Sequence, residues 1–148
     1  MMPKKSFLSP KKGEASPPEY TKLINSLKAK IRSSQIKAAL AVNSELIKLY
    51  WEIGKEIVEK QKQEGWGSKT LERAAKDLQK EFPGIEGFSR ANIFRMKAFF
   101  AAYEKVAQTV RQLKSLPIFD IPWGHNILLI QKLKNNNERL WYASRRSI

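Results

Sequence analysis

The chain has 148 residues, with 28 Lys and Arg against 14 Asp and Glu, a formal charge of +14, no cysteine and one histidine. That length suits one domain built round a single core. The absence of thiols excludes a disulfide framework and thiolate metal sites, and the lone His125 would leave a zinc site mostly to carboxylates, so no metal and no cofactor is expected.

A charge of this size repels itself unless an acidic partner lies nearby, and nucleic acid is the commonest such partner, followed by an anionic membrane surface. The N-terminal MMPKKSFLSPKKGEASPPEY has lysines but no apolar segment of the kind a signal peptide needs. Nowhere do the roughly 18 apolar residues of a membrane span run together. A cytoplasmic protein without membrane contact is expected.

Residues 1–18 hold four prolines and four lysines against one glutamate, too little apolar surface to offset ordering, and are read as a disordered basic leader. From Glu19 onward Tyr20, Leu23, Ile24, Leu27 and Ile31, then Leu46, Leu49, Ile53 and Ile57, follow helical spacings of three and four. A single helix from 19 to 63 would be unusually long, so a break is placed at Ser33, Ser34 and Gln35, where the apolar stripe thins. The first half carries Lys22, Lys28, Lys30, Arg32 and Lys37, and no acid lies between them. In the second half Glu56 stands four residues before Lys60, the spacing of a helical ion pair.

Gly65-Trp66-Gly67 predicts a tight reversal anchored by the indole, with Ser68 capping the next helix. That helix buries Leu71, Ala74, Ala75, Leu78 and Phe82 and ends at Pro83-Gly84. After a linker, Ser89 is the N-cap of a helix whose stripe is Ile93, Met96, Phe100 and Tyr103. Arg90 and Lys97 lie on another side, with Asn92 and Arg95 toward its flanks.

Helix, short turn and second helix with Arg and Asn in its first turns is the layout of a helix-turn-helix reader. Arg reaches guanine or a phosphate, and Asn pairs with adenine. Arg90, Asn92, Arg95 and Lys97 are therefore the candidate nucleic-acid contacts, joined by Lys28, Lys30 and Arg32. A solvated basic surface is the competing reading of the same residues.

Val106, Val110, Leu113 and Leu116 suggest that the helix continues. Between Pro117 and Pro122, Ile118, Phe119 and Ile121 read as a short extended edge segment. A helix from Gly124 with Ile127, Leu128, Ile130 and Leu133 follows, then a break at residues 135–137 and a last helical piece with Leu140, Trp141 and Tyr142. His125 is read as capping or hydrogen-bonding at a helix N-terminus. No phosphate-cradling glycine loop, activated nucleophile or metal-ligand spacing is visible, so no catalytic residue is assigned.

Four blocks, AVNSELIKLYWEIGKEI (41–57), GWGSKTLERAAKDLQKEFPGIEGFSRANIFRMKAFFAAY (65–103), IPWGHNILLIQKLK (121–134) and RLWYA (139–143), occur in this order. Together they resemble the N-terminal domain of the YhcG-like family of bacterial proteins, over residues 20 to 147. Positions that match its pattern include Asn43, Tyr50, Trp51, Gly54, Trp66, Phe88, Ser89, Asn92, Met96, Trp123, His125 and Asn126. The resemblance implies a helical domain of unknown function with a DNA-binding role, followed in the family by a nuclease domain of the PD-(D/E)XK superfamily.

The sequence ends at Ile148, and beyond Tyr103 it holds only the acids Glu104, Asp120 and Glu138, which form no nuclease motif. The reading is an all-α, single-core helical bundle over residues 19–148 with a helix-turn-helix-like unit and no nuclease activity. It binds double-stranded DNA and has no small-molecule substrate. The alternative is a protein-interaction or homodimer module that uses the heptad-like Leu46, Leu49, Ile53 and Ile57.

Overall fold

The computed structural model describes residues 17–33 and 42–146, without the side chains of Ser33 and Arg146. Lys37 and all but the end of the basic leader lie outside the described residues. Among the described residues there are six α-helices: α1 (Pro17–Ser33), α2 (Asn43–Glu64), α3 (Ser68–Glu81), α4 (Arg90–Ala107), α5 (Trp123–Lys132) and α6 (Asn136–Arg146). Pro17 and Pro18, read as the end of the leader, instead open α1. A first-turn proline suits this place because its missing N–H has no intrahelical partner there.

Helix α2 lies at the centre. One side, with Leu49, Tyr50, Ile53 and Ile57, packs in a core with Tyr20, Leu23, Leu27 and Ile31 of α1, Leu71, Ala74, Ala75 and Leu78 of α3, and Ile93 and Met96 of α4. The other side, with Ile47, Trp51 and Val58, packs with Phe99, Phe100 and Tyr103 of α4, Ile118, Phe119 and Ile121, and Ala143 of α6. The interior thus has two lobes, and the half-buried Trp123 packs against both. Leu49, Ile53 and Ile57, whose spacing also suited a dimer seam, are buried within this one chain.

Between the lobes α2 crosses α4 closely. A Cβ built on Gly54 would lie 2.2 Å from the carbonyl oxygen of Met96, an overlap with backbone that neither helix can relieve by rotating a side chain. Beside this contact the Trp51 ring meets Phe99 at 5.6 Å, Phe100 at 4.8 Å and Phe119 at 5.8 Å, all edge to face.

Most helix ends follow the turn residues. Gly65 takes a left-handed φ of 68° and its N–H reaches Gln61 O, while Trp66 is buried as expected. Ser68 is not the cap: Gly67 holds that place in extended conformation, and Ser68 is the first helical residue. Helix α4 stops at Ala107, so Val106 ends on the helix while Val110 and Leu113 lie in the turns beyond it.

The segment read as an edge strand is a 3-10 turn, Pro117–Asp120, and no strand forms among the described residues. No neighbouring strand offers ladder partners here, and side-chain amides supply them instead. Asn126 Nδ2 donates to Ile118 O at 2.9 Å, and Asn43 Nδ2 to Ile121 O at 2.8 Å. Helix α5 begins at Trp123 rather than Gly124, and Asn135 caps α6 through the N–H groups of Asn137 and Glu138. The Glu56–Lys60 pair is also replaced. Glu56 stands 3.7 Å from Lys30 and Lys60 stands 3.7 Å from Glu19, both on α1, which lies closer to these groups than they lie to each other.

Two outcomes follow from the packing. Gly54→Ala should lower unfolding free energy by about 3 kcal/mol in a urea titration, because it overpacks a backbone contact. Gly124→Ala, where an added Cβ meets nothing within 4 Å, should change it by less than about 0.5 kcal/mol.

Tyr103 is fully buried and its hydroxyl has no hydrogen-bond partner among the described residues. Burial pushes its phenol from 10.0 up to about 12. The unfolded chain therefore releases this proton first, and stability falls as pH rises between those two values. Tyr103→Phe should flatten that alkaline loss in urea titrations across the window, and leave stability at neutral pH equal or higher because an unpaired hydroxyl is removed.

Candidate nucleic-acid interface

The start of α4 is built by its preceding turn. Eight residues, 82–89, separate α3 from α4, and they include the 3-10 turn Glu86–Phe88. Gly84 adopts φ 87°, and Phe88 is buried beside Phe82. A Cβ on Gly87 would lie 2.2 Å from the Tyr50 hydroxyl oxygen, so any side chain there would have to displace the buried Tyr50 ring. Ser89 caps α4, its Oγ accepting from the Asn92 N–H at 3.1 Å. This connection is longer than the three or four residues of a compact helix-turn-helix.

The candidate contacts divide into separate groups. Arg90 is exposed at the first position of α4, where its Nε donates to Glu72 Oε1 at 2.9 Å and its guanidinium lies 4.9 Å from the Phe94 ring centre. Arg95 is exposed and lines a recess of about 490 Å³ with Ser89, Asn92 and Trp123. Lys97 is half-buried. Lys28 and Arg32 meet at Glu81, the last residue of α3, Lys28 at 3.3 Å. Their hydrogen bonds, Lys28's first, hold the Glu81 carboxyl below the usual carboxylate range. Lys30 faces away from them toward Glu56.

Lys28, Lys30 and Arg32 of α1 are thus met by acids from other helices. Nothing in residues 22–37 indicates this, because Glu56 and Glu81 are distant in sequence. Asn92 is placed differently from the three cations named with it. It is buried, its Nδ2 donating to Gly87 O at 2.7 Å and its Oδ1 accepting from Trp123 Nε1 at 2.7 Å. The Trp123 ring in turn packs edge to face on Tyr50 at 4.8 Å, and burial raises the Tyr50 phenol above its ordinary range. Asn92 therefore joins the turn, α4 and α5 from within, and its amide is occupied there instead of being presented to a base.

Reading the sequence alone missed a row of cations on α3. Lys69, Arg73 and Lys76, at spacings of four and three, share a groove of about 500 Å³ with Arg90, Glu72 and Gln79. They lie opposite the buried Leu71, Ala74 and Leu78, so the helical period that identified the core face also marks this one. Lys69 and Lys76 are exposed and make no ion pair among the described residues. Arg73 lies 3.7 Å over the ring of Tyr20, whose hydroxyl donates to Asp77. Among the described residues, no three His, Asp or Glu side chains come together in a way that could hold a metal ion, and no helix is long and apolar enough to cross a membrane.

Asn92→Ala should reduce stability by about 2 kcal/mol, since it leaves the partly buried Trp123 N–H and Gly87 carbonyl unpaired. Arg95→Ala, on the exposed side of the same helix, should change it by less than about 0.5 kcal/mol in the same denaturation experiment.

No curated protein and no solved structure matches the chain. A family model does, that of the DUF1016 N-terminal domain, a domain of unknown function, over residues 26–147. Most of the chain is covered, including the whole α2–α4 crossing and the turn before α4, in agreement with the YhcG-like resemblance read from the four sequence blocks. The chain belongs to the DUF1016 N-terminal domain family.

Proposed function

We propose that this chain is a binding module for double-stranded DNA, acting in the cytoplasm and without catalytic chemistry of its own. The observation that carries the reading is the groove where Lys69, Arg73 and Lys76 of α3 converge with Arg90 at the start of α4. One acid, Glu72, lies among these four cations. Such a row suits successive backbone phosphates, which attract Lys and Arg whatever the base sequence.

Arg95 and Lys97 extend the basic side along α4, and their reach toward bases is the finer part of the proposal. Lys28 and Arg32 form a secondary contact, reached when phosphate replaces Glu81 as their partner. Lys30 contributes through the general field of a chain at +14. Asn92 serves by fixing the turn that aims Arg90.

Anisotropy of a labelled DNA duplex, followed over a salt series, tests the proposal. The wild-type affinity should fall steeply with salt. A variant with Lys69→Ala, Lys76→Ala and Arg90→Ala should bind at least about tenfold more weakly at low salt, with a log–log slope shallower by about 0.9 for each phosphate that is no longer neutralised. Arg95→Ala with Lys97→Ala should weaken binding less. If Lys28→Ala with Arg32→Ala instead carries the loss, the contact face is α1. If wild type fails to bind at low salt, the DNA reading is wrong and the protein-interaction reading replaces it.

A further inference from the structure

The corner between α5 and α6 leaves apolar surface uncovered. Leu128, Trp141 and Tyr142 are exposed there by 48%, 51% and 46%, and among the described residues the other exposed large apolar side chain is Val42. Leu128, Leu129, Leu133 and Tyr142 line a groove of about 230 Å³, with His125 and Lys132 beside them. Contiguous apolar surface of this kind, framed by polar groups, marks a site of interaction more often than a casual exposure.

The groove has firm walls. Arg139 of α6 donates to Leu133 O at 2.6 Å and to Asn136 Oδ1 at 3.0 Å, closing the corner across the end of α5. Asn136 Nδ2 donates to Ala102 O of α4 at 2.8 Å, and Ala143 is fully buried. His125 does not cap α5 as expected from sequence. It is the third residue of that helix, where its ring lines the groove while its Nδ1 is buried without a hydrogen-bond partner among the described residues.

Charge selects the occupant. Residues 123–146 contain five Lys or Arg and one acid, Glu138. Lys132, Lys134 and Arg145 make no ion pair among the described residues, and Arg145 lies 4.5 Å over the Trp141 ring. A second copy would bring two basic rims together, whereas an acidic segment complements the rim. We propose that the α5–α6 groove docks an amphipathic helix of a protein partner, with its apolar stripe in the groove and flanking carboxylates on Lys132 and Lys134. The groove and the basic row on α3 are different surfaces, so this inference and the DNA reading stand or fall separately.

Two labelled synthetic helical peptides with the same leucine stripe, one flanked by Glu and one by Lys, test it by anisotropy against the full chain. The Glu-flanked peptide should bind and the Lys-flanked peptide should bind at least about tenfold more weakly. Leu128→Glu, an exposed change checked for folding by circular dichroism and urea titration, should weaken binding of the Glu-flanked peptide by a similar factor. Tyr142→Ala provides a second, uncharged variant with the same expected loss. Equal binding of both peptides, binding unaffected by both variants, or no binding of either peptide would overturn the proposal. So would a wild-type dimer in sedimentation equilibrium that Leu128→Glu dissolves, which would assign the groove to a second copy. Single-stranded oligothymidylate that displaces the Glu-flanked peptide would also overturn it, assigning the aromatic rings to base stacking.

Discussion

The fold rests on how closely α2 and α4 can approach. Gly54 lets the backbone of one helix touch that of the other at Met96, and no larger residue fits. With the axes this near, the side chains of α2 on both sides reach partners: Tyr50, Ile53 and Ile57 toward α1 and α3, Ile47 and Trp51 toward α4, the 117–120 turn and α6. Both lobes of the core depend on this contact. Because interiors are close-packed, a wider crossing would open space in each lobe.

The same crossing orients the basic side of the molecule. Tyr50, one turn from Gly54, lies against Gly87 and Trp123, and Asn92 ties Gly87 to the Trp123 indole. Aromatic packing and two partly buried hydrogen bonds therefore set the direction in which α4 leaves the turn, with Arg90 at its exposed end. A polar group that is paired on both sides inside a low-dielectric core restricts geometry more than an apolar contact of equal size, since an alternative packing would strand its partners.

Charge is organised by proximity across helices. Glu81 draws Lys28 and Arg32 to the end of α3, Glu56 stands by Lys30, and Glu72 pairs with Arg90. The Arg32–Glu81 and Arg90–Glu72 pairs are open to water, so each adds little to stability and can exchange its carboxylate for another anion, whereas Glu56 is largely buried. Lys69 and Lys76 have no such counter-ion among the described residues, which sets the α3 row apart from the basic run on α1. In the α5–α6 corner the positive charge surrounds exposed Leu128 and Tyr142 instead of a polar groove, and the two surfaces therefore suit different partners.

Periodicity alone determined the helices that bury a stripe, because three-and-four spacing is a property of one segment: Leu23, Leu27 and Ile31, Leu71 and Leu78, Ile93 and Met96 are all core. Local chemistry likewise determined the Ser89 cap and the Gly65 reversal. The row Lys69, Arg73 and Lys76 follows the same period on the solvent side of α3 and was legible there. Tertiary structure decided whatever depended on a neighbour distant in sequence. Ile118 and Phe119 form a 3-10 turn, with Asn126 satisfying the Ile118 carbonyl and Asn43 that of Ile121 just after it, where no strand does. Asn92 became an internal tie because Trp123, 31 residues away, donates to it. The basic face of α1 gained counter-ions from α2 and α3 because electrostatic attraction depends on distance in space, which spacing along a chain does not contain.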